Sequence, residues 1–179
     1  SGRRRAQRAG TTCNAAVANC VNARAGVGGT VNNNNFTSVD VDVDGDATTF
    51  SSSSATLTLA PGDSVMFAGL YWGAQSNNAV RNQVRFRTPA AAYATITATQ
   101  LDADVTDPTR YQGFRDVTAE VRAGGSGNYF VANVQRELNT DRYAGWTLVV
   151  VLFNAASLPR SLVVFDGYAR VFTGVPVTI

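Results

Sequence analysis

The segment Val39-Asp-Val-Asp-Val-Asp-Gly-Asp46 sets four carboxylates, Asp40, Asp42, Asp44 and Asp46, at alternate positions. Read as D-x-D-x-D-G-D, it matches the opening of an EF-type calcium loop, in which alternating oxygen ligands wrap one hard cation. Such a loop ends on a bidentate Glu, and Ser51 stands at that position. The intervening valines suit a strand better than a tightly turning loop, so the favoured reading is the polar face of an amphipathic strand. Calcium is the one cofactor the pattern permits. Four carboxylates this close repel one another, and Arg85, Arg87, Arg115 and Arg142 are available to offset them.

The aromatic residues Tyr71, Trp72, Tyr93, Tyr111, Phe114, Tyr143 and Trp146 could build a platform for sugar rings, with Tyr71, Trp72 and Tyr143 as the candidate ligand-binding set. Packing in the core or under loops is the more economical use of the two tryptophans. Side chains alternate across a strand, so one of Tyr71 and Trp72 faces the core while the other is left for a loop or a partner. Cys13 and Cys20 are close in sequence, show no CxxC pattern, and have no histidine to complete a metal set. A local disulfide is their simplest use, contributing on the order of 2 kcal/mol and implying an oxidising compartment. Two buried free thiols are the alternative.

What is missing narrows the chemistry further. The chain contains no histidine and no lysine, which removes the commonest nitrogen bases, the Ser-His-Asp and Cys-His nucleophile systems, and Schiff-base catalysis. A Lys–Asn isopeptide bond is excluded for the same reason. Carboxylates, hydroxyls and arginines remain, and although Glu120, Glu137 and the aspartates could supply a glycosidase pair, nothing in their spacing selects one. The expectation is a protein that is not an enzyme. Arg3, Arg4, Arg5 and Arg8 crowd the first ten residues and leave a slightly acidic remainder beneath a formal net charge of +2. Such a cluster reads as a solvated tail, not as a basic face for nucleic acid. The longest apolar stretch, 148–153, is far short of a membrane span, and no signal peptide is present, so an exported form would already have lost its signal.

The elements that must position these residues are mostly strands. Residues 1–35, rich in Ala, Gly and Asn, read as an irregular arm pinned by the disulfide. From Val39 the period is two, and further strand signals fall at 55–59, 64–72, 83–88, 93–99, 129–135, 146–153, 161–165 and 168–172. Pro61-Gly62-Asp63 is a turn, and Asp166-Gly167 between two β-prone runs signals a hairpin. The run 146–153 is apolar on both faces and is expected at the centre of a sheet. One or two helical turns follow Asp116 as a possible N-cap and end at Gly124-Gly125. The expected fold is all-β: a jelly-roll-like antiparallel β-sandwich over 36–179, with one short helical turn and an irregular N-terminal arm.

An ordered set of motifs carries a resemblance. It comprises Val39-Asp-Val-Asp-Val-Asp44, Thr49-Phe-Ser-Ser-Ser-Ser-Ala55, Ala68-Gly-Leu-Tyr-Trp-Gly-Ala74, Val84-Arg-Phe-Arg-Thr-Pro89, Tyr111-Gln-Gly-Phe114, Asp116-Val-Thr118, Val131-Ala-Asn-Val134, Asp141-Arg-Tyr-Ala-Gly-Trp146 and Val164-Phe-Asp-Gly167. Together these resemble the N-terminal β-sandwich module of large, functionally uncharacterised, repeat-bearing bacterial surface proteins. The resemblance implies secretion, an extracellular or cell-surface location, and a structural or adhesive role with no catalytic residues to carry over. Relatives continue past a segment like Pro176-Val-Thr-Ile179, so the chain is expected to be a fragment or a short stand-alone form. Its expected partners are copies of itself in a filament or neighbouring domains, reached through terminal arms or strand edges. The alternative is a calcium-assisted carbohydrate-binding module.

Overall fold

A computed structural model describes residues 40–158 without a break, together with 22, 27, 37, 38, 160–164 and 167–169. The fold is an antiparallel β-sandwich of two four-stranded sheets. In chain order the elements are β1 (Ser52–Leu57), β2 (Ser64–Gln75), β3 (Gln83–Arg87), β4 (Ala94–Thr97), β5 (Gln100–Ala103), β6 (Arg110–Asp116), α1 (Thr118–Gly124), β7 (Gly127–Ala132) and β8 (Ala144–Phe153). One sheet runs β1-β7-β3-β4 and the other β5-β6-β2-β8. The chain crosses repeatedly between them, in the jelly-roll-like manner the strand spacing implies.

Alternation builds the core. Ala68, Leu70, Trp72 and Ala74 of β2 point inward against Val84 and Phe86 of β3, Tyr111 of β6, and Tyr129 and Val131 of β7. Trp146, Leu148, Val150 and Leu152 of β8 complete the layer. Trp72 is only 1% exposed. Its ring needs Gly113 on the neighbouring strand, where an added Cβ would lie 2.6 Å from the indole Cε2. The helix covers β2 through Val117 and Val121. A register shift between Val65 and Phe67 interrupts the ladder, and Arg122 of α1 donates to the Val65 and Met66 carbonyls there at 2.8 and 3.2 Å. An arginine thus satisfies backbone groups beside a bulge, where ladder pairing is locally disrupted.

Five expectations need correction. Residues 40–46 form an irregular, turning segment and not a strand. β5 and β6 were not anticipated at all. The helix is capped at Val117, with Asp116 one residue earlier accepting the Thr118 amide at 2.9 Å. β8 lies at the edge of its sheet, paired among the described residues only with β2. Finally, positions 161–164 and 167–169 carry no strand, while Asp166 of the expected hairpin lies outside the described residues. So do Cys13 and Cys20, and, apart from Asn22 and Val27, the rest of the 1–35 arm.

Candidate functional site

The acidic segment is built from its own turns. Asp42 Oδ1 accepts the amides of Asp44 at 3.1 Å and Gly45 at 3.0 Å, and the Ser52 hydroxyl at 3.0 Å. These partners, the Gly45 amide foremost, hold the Asp42 carboxyl below its ordinary value. Gly45 sits at φ +65, a left-handed conformation that glycine adopts without steric cost. Asp44 Oδ1 accepts the Asp46 amide at 2.9 Å, and Asp46 Oδ1 accepts both the amide and the hydroxyl of Thr48. Asp40 leaves the group altogether and pairs with Arg136 Nη2 at 2.7 Å. Short Asp side chains bonding to the backbone two or three residues on are the signature of Asx turns. This is why a period-two pattern does not make a strand here. Among the described residues, no three acidic side chains converge as a metal-holding group.

Asp44 also ties this segment to the outer face of the β1-β7-β3-β4 sheet, accepting a hydrogen bond from the Tyr93 hydroxyl through Oδ2. Burial first, and the Asp44 carboxylate next, push the Tyr93 phenol well above its usual range. Arg87 lies between two rings, its guanidinium carbon 3.8 Å from the centre of Phe130 and 5.0 Å from that of Tyr93. Arg85 sits 5.9 Å from the Tyr93 ring. Of the four arginines expected near the aspartates, Arg85 and Arg87 are the ones whose face the acidic segment meets, while Arg142 pairs with Glu137 at 2.8 Å. On this face charges and rings are matched.

The outer face of the β5-β6-β2-β8 sheet is different. Between the inward residues of β2 stand Phe67, Gly69 and Tyr71; between those of β8 stand Val149, Val151 and Phe153. Phe114 of β6 pairs with Tyr71, their ring centres 4.8 Å apart. Gly69 lets rings cross the sheet, since a Cβ there would lie 2.9 Å from Phe67 and 3.0 Å from Phe114. Phe67, Tyr71, Phe114, Val151 and Val164 line an open, mainly apolar groove of about 380 Å³. On the same two strands, β2 and β8, Met66 and Phe153 remain 56% and 55% exposed. Leu158, Leu162 and Val163 beyond β8 are exposed as well.

The three candidate ligand-binding aromatics do not form one platform. Trp72 is in the core, donating its indole N–H to the Arg81 carbonyl at 3.1 Å. Tyr71 lines the groove. Tyr143 is exposed at the start of β8, its phenol pushed up by burial and by its hydrogen bond with Tyr168. The expectation that one of Tyr71 and Trp72 faces inward holds. Phe67 and Phe114, which share the groove with Tyr71, were not singled out as a pair, although the odd positions of a long β-prone run mark Phe67.

Fold and face together define an antiparallel β-sandwich that is matched and polar on one outer face and apolar on the other. No protein-family model, curated protein or solved structure matches the chain. No helix among the described residues is long and apolar enough to cross a membrane.

Proposed function

We propose that this chain is a non-enzymatic structural or adhesive module of an exported surface protein or extracellular filament, which assembles through a strand edge. The observation that carries the reading is β8. It is a ten-residue strand, apolar on both faces, and no described residue pairs with its outer edge. Long, apolar, unpaired edges are templates for a further strand, and proteins that must stay monomeric shorten, charge or cover them. The other edges fit that rule. β4 and β5 are four residues each, and the start of β1 is shielded where Ser52 donates to the Val41 carbonyl and accepts the Val43 amide. β8 has no charged residue from Ala144 to Phe153.

The partner that fits is a second copy of the chain or a neighbouring domain of like construction, because an edge strand and an apolar face recur identically in each copy. The absence of histidine and lysine supports a role without turnover. The test is a concentration series of the full chain by light scattering and electron microscopy, alongside a form lacking residues 1–30. Assembly that grows with concentration is expected. A full chain that stays monomeric throughout would refute the reading, and loss of assembly only in the truncated form would move the contact from β8 to the arm.

A second reading, carbohydrate binding, is favoured by one observation: the Tyr71 and Phe114 rings beside an open groove. Its calcium component draws no support from aspartates that cap their own turns. Glycan-array binding lost in Tyr71→Ala, with a monomeric protein, would favour it over assembly.

A further inference from the structure

The chain leaves β8 through a built turn. Asn154, the residue after the strand, accepts the Ser157 amide through its carbonyl at 3.0 Å and the Ala156 amide through Oδ1 at 2.9 Å. Its Nδ2 donates to the Pro61 carbonyl at 3.2 Å and to Asp63 Oδ1 at 2.8 Å, so this turn is tied to the one that precedes β2. Such side-chain caps fix the direction in which a chain continues. Two contacts show where it goes. Val164 lines the groove together with Val151 and the Phe67, Tyr71 and Phe114 rings, and the Tyr168 phenol is hydrogen-bonded to that of Tyr143, next to the start of β8. The later residue of the segment meets the earlier residue of the strand. The segment therefore runs back along β8, antiparallel to it, from its end toward its start.

The hold is by side chains and is slight. Residues 161–164 and 167–169 form no strand, and among the described residues no backbone hydrogen bond joins them to β8. Leu162 and Val163 stay 66% and 70% exposed, whereas Val164 is 47% exposed and Tyr168 is half-buried. A full ladder along β8 would close its edge permanently, and a segment that touched nothing would leave the groove bare at all times. One valine and one phenol hydrogen bond lie between these limits. They cover apolar side chains without taking up the edge of the strand.

We propose that residues 160–164 and 167–169 are a displaceable strap, which covers the groove in the single chain and must leave it before a second copy can seat on β8 and the apolar face beside it. The proposal rests on the assembly reading and gives that contact a control. The groove holds either the strap or the neighbouring copy, so the apparent affinity between copies is reduced by the fraction of chains in which the strap is open. Weakening the strap raises that fraction and with it the affinity.

Full-chain variants test this with two readouts: binding of the apolar dye anilinonaphthalene sulfonate to dilute monomer, and the concentration at which association sets in by sedimentation velocity. Val164→Ser and Tyr168→Ala should bind more dye than the wild type, because uncovered apolar surface takes it up. Val164→Ser should associate at a concentration about three- to tenfold lower, since a half-exposed valine gives up about half the transfer free energy of a buried one. Val164→Ile, which keeps the contact, should match the wild type in both readouts. Dye binding and association unchanged in Val164→Ser and Tyr168→Ala would overturn the strap. So would a Val164→Ser protein that needs a higher concentration to associate, because Val164 would then belong to the contact between copies. If no form associates at any concentration while dye binding still rises in Val164→Ser, the assembly reading fails and the restraint falls with it, whereas the cover over the groove stands.

Discussion

The two outer faces of the sandwich rest on one core and meet opposite fates. On the β1-β7-β3-β4 face, Arg87 lies between Phe130 and Tyr93, and Tyr93 donates to Asp44 of a segment that caps its own turns. On the β5-β6-β2-β8 face, Phe67, Tyr71, Phe114 and Val151 surround an open groove beside an edge strand without charge. The first face sets its arginines against rings and ties Tyr93 to a carboxylate of the same chain. The second keeps apolar surface and backbone groups that the described residues leave unmatched, and the proposed assembly rests on that contrast. Substitutions on the first face should therefore cost stability, and those on the second should cost association.

The largest effect should come from the shared foundation. Trp72→Ala removes the biggest fully buried side chain and should lower stability by about 3–5 kcal/mol in chemical denaturation, disturbing both faces at once. Gly69→Val is specific to the apolar face. Its added atoms meet the Phe67 and Phe114 rings, and the cost should be about 1–3 kcal/mol unless the rings swing outward. On the matched face, Arg87→Ala loses two ring contacts and should cost about 1 kcal/mol, with oligomeric state unchanged.

The matched face should also show itself in the pH dependence of stability. The Asp42 carboxyl is depressed below its ordinary value of 3.8 by the Gly45 and Asp44 amides and the Ser52 hydroxyl. A depressed carboxyl contributes stability above its unfolded value and loses it as pH falls through the folded one, because the unfolded chain takes up the proton first. Asp46, Asp63, Asp107 and Asp116 are shifted the same way. Denaturation midpoints should fall as the pH drops below 3.8, and Asp42→Asn should make that fall shallower. At the alkaline end, Tyr93 is raised from 10.0, so its contribution is present below pH 10.0 and lost above it. Tyr93→Phe should remove that part of the alkaline loss.

The smallest effect on stability should be at Val151, on the apolar face. Val151→Arg should change the unfolding free energy by no more than about 0.5 kcal/mol, since the position is on the outer surface. The same change should abolish association measured by sedimentation velocity. An equal loss of stability at Val151 and at Arg87 would erase the distinction between the faces.

How much of this was legible in the sequence depends on where the information resides. The inward faces of β2 and β8 follow from alternation alone, and Pro61-Gly62-Asp63 was a readable turn, with Gly62 at φ +84. β6 was hidden because one of its inward positions is Gly113, a packing residue against Trp72 that reads in sequence as a break. The Asp40–Asp46 segment has strand periodicity, but Asp42, Asp44 and Asp46 each offer the backbone a closer partner than a ladder would. The Tyr93, Arg87, Phe130 and Asp44 cluster draws on four separate segments, and no local pattern joins them. Nor could spacing show that, among the described residues, β8 pairs only with β2, since strand order is decided by tertiary pairing.

Amide hydrogen exchange across β8, followed from dilute to concentrated protein, tests the central claim most directly. Amides facing β2 should be protected at every concentration, being bonded within the ladder. Those facing the outer edge should exchange quickly in dilute solution and become protected as concentration rises, with Val151→Arg keeping them open throughout. Outer-edge amides that exchange at the same rate at all concentrations would contradict assembly through β8.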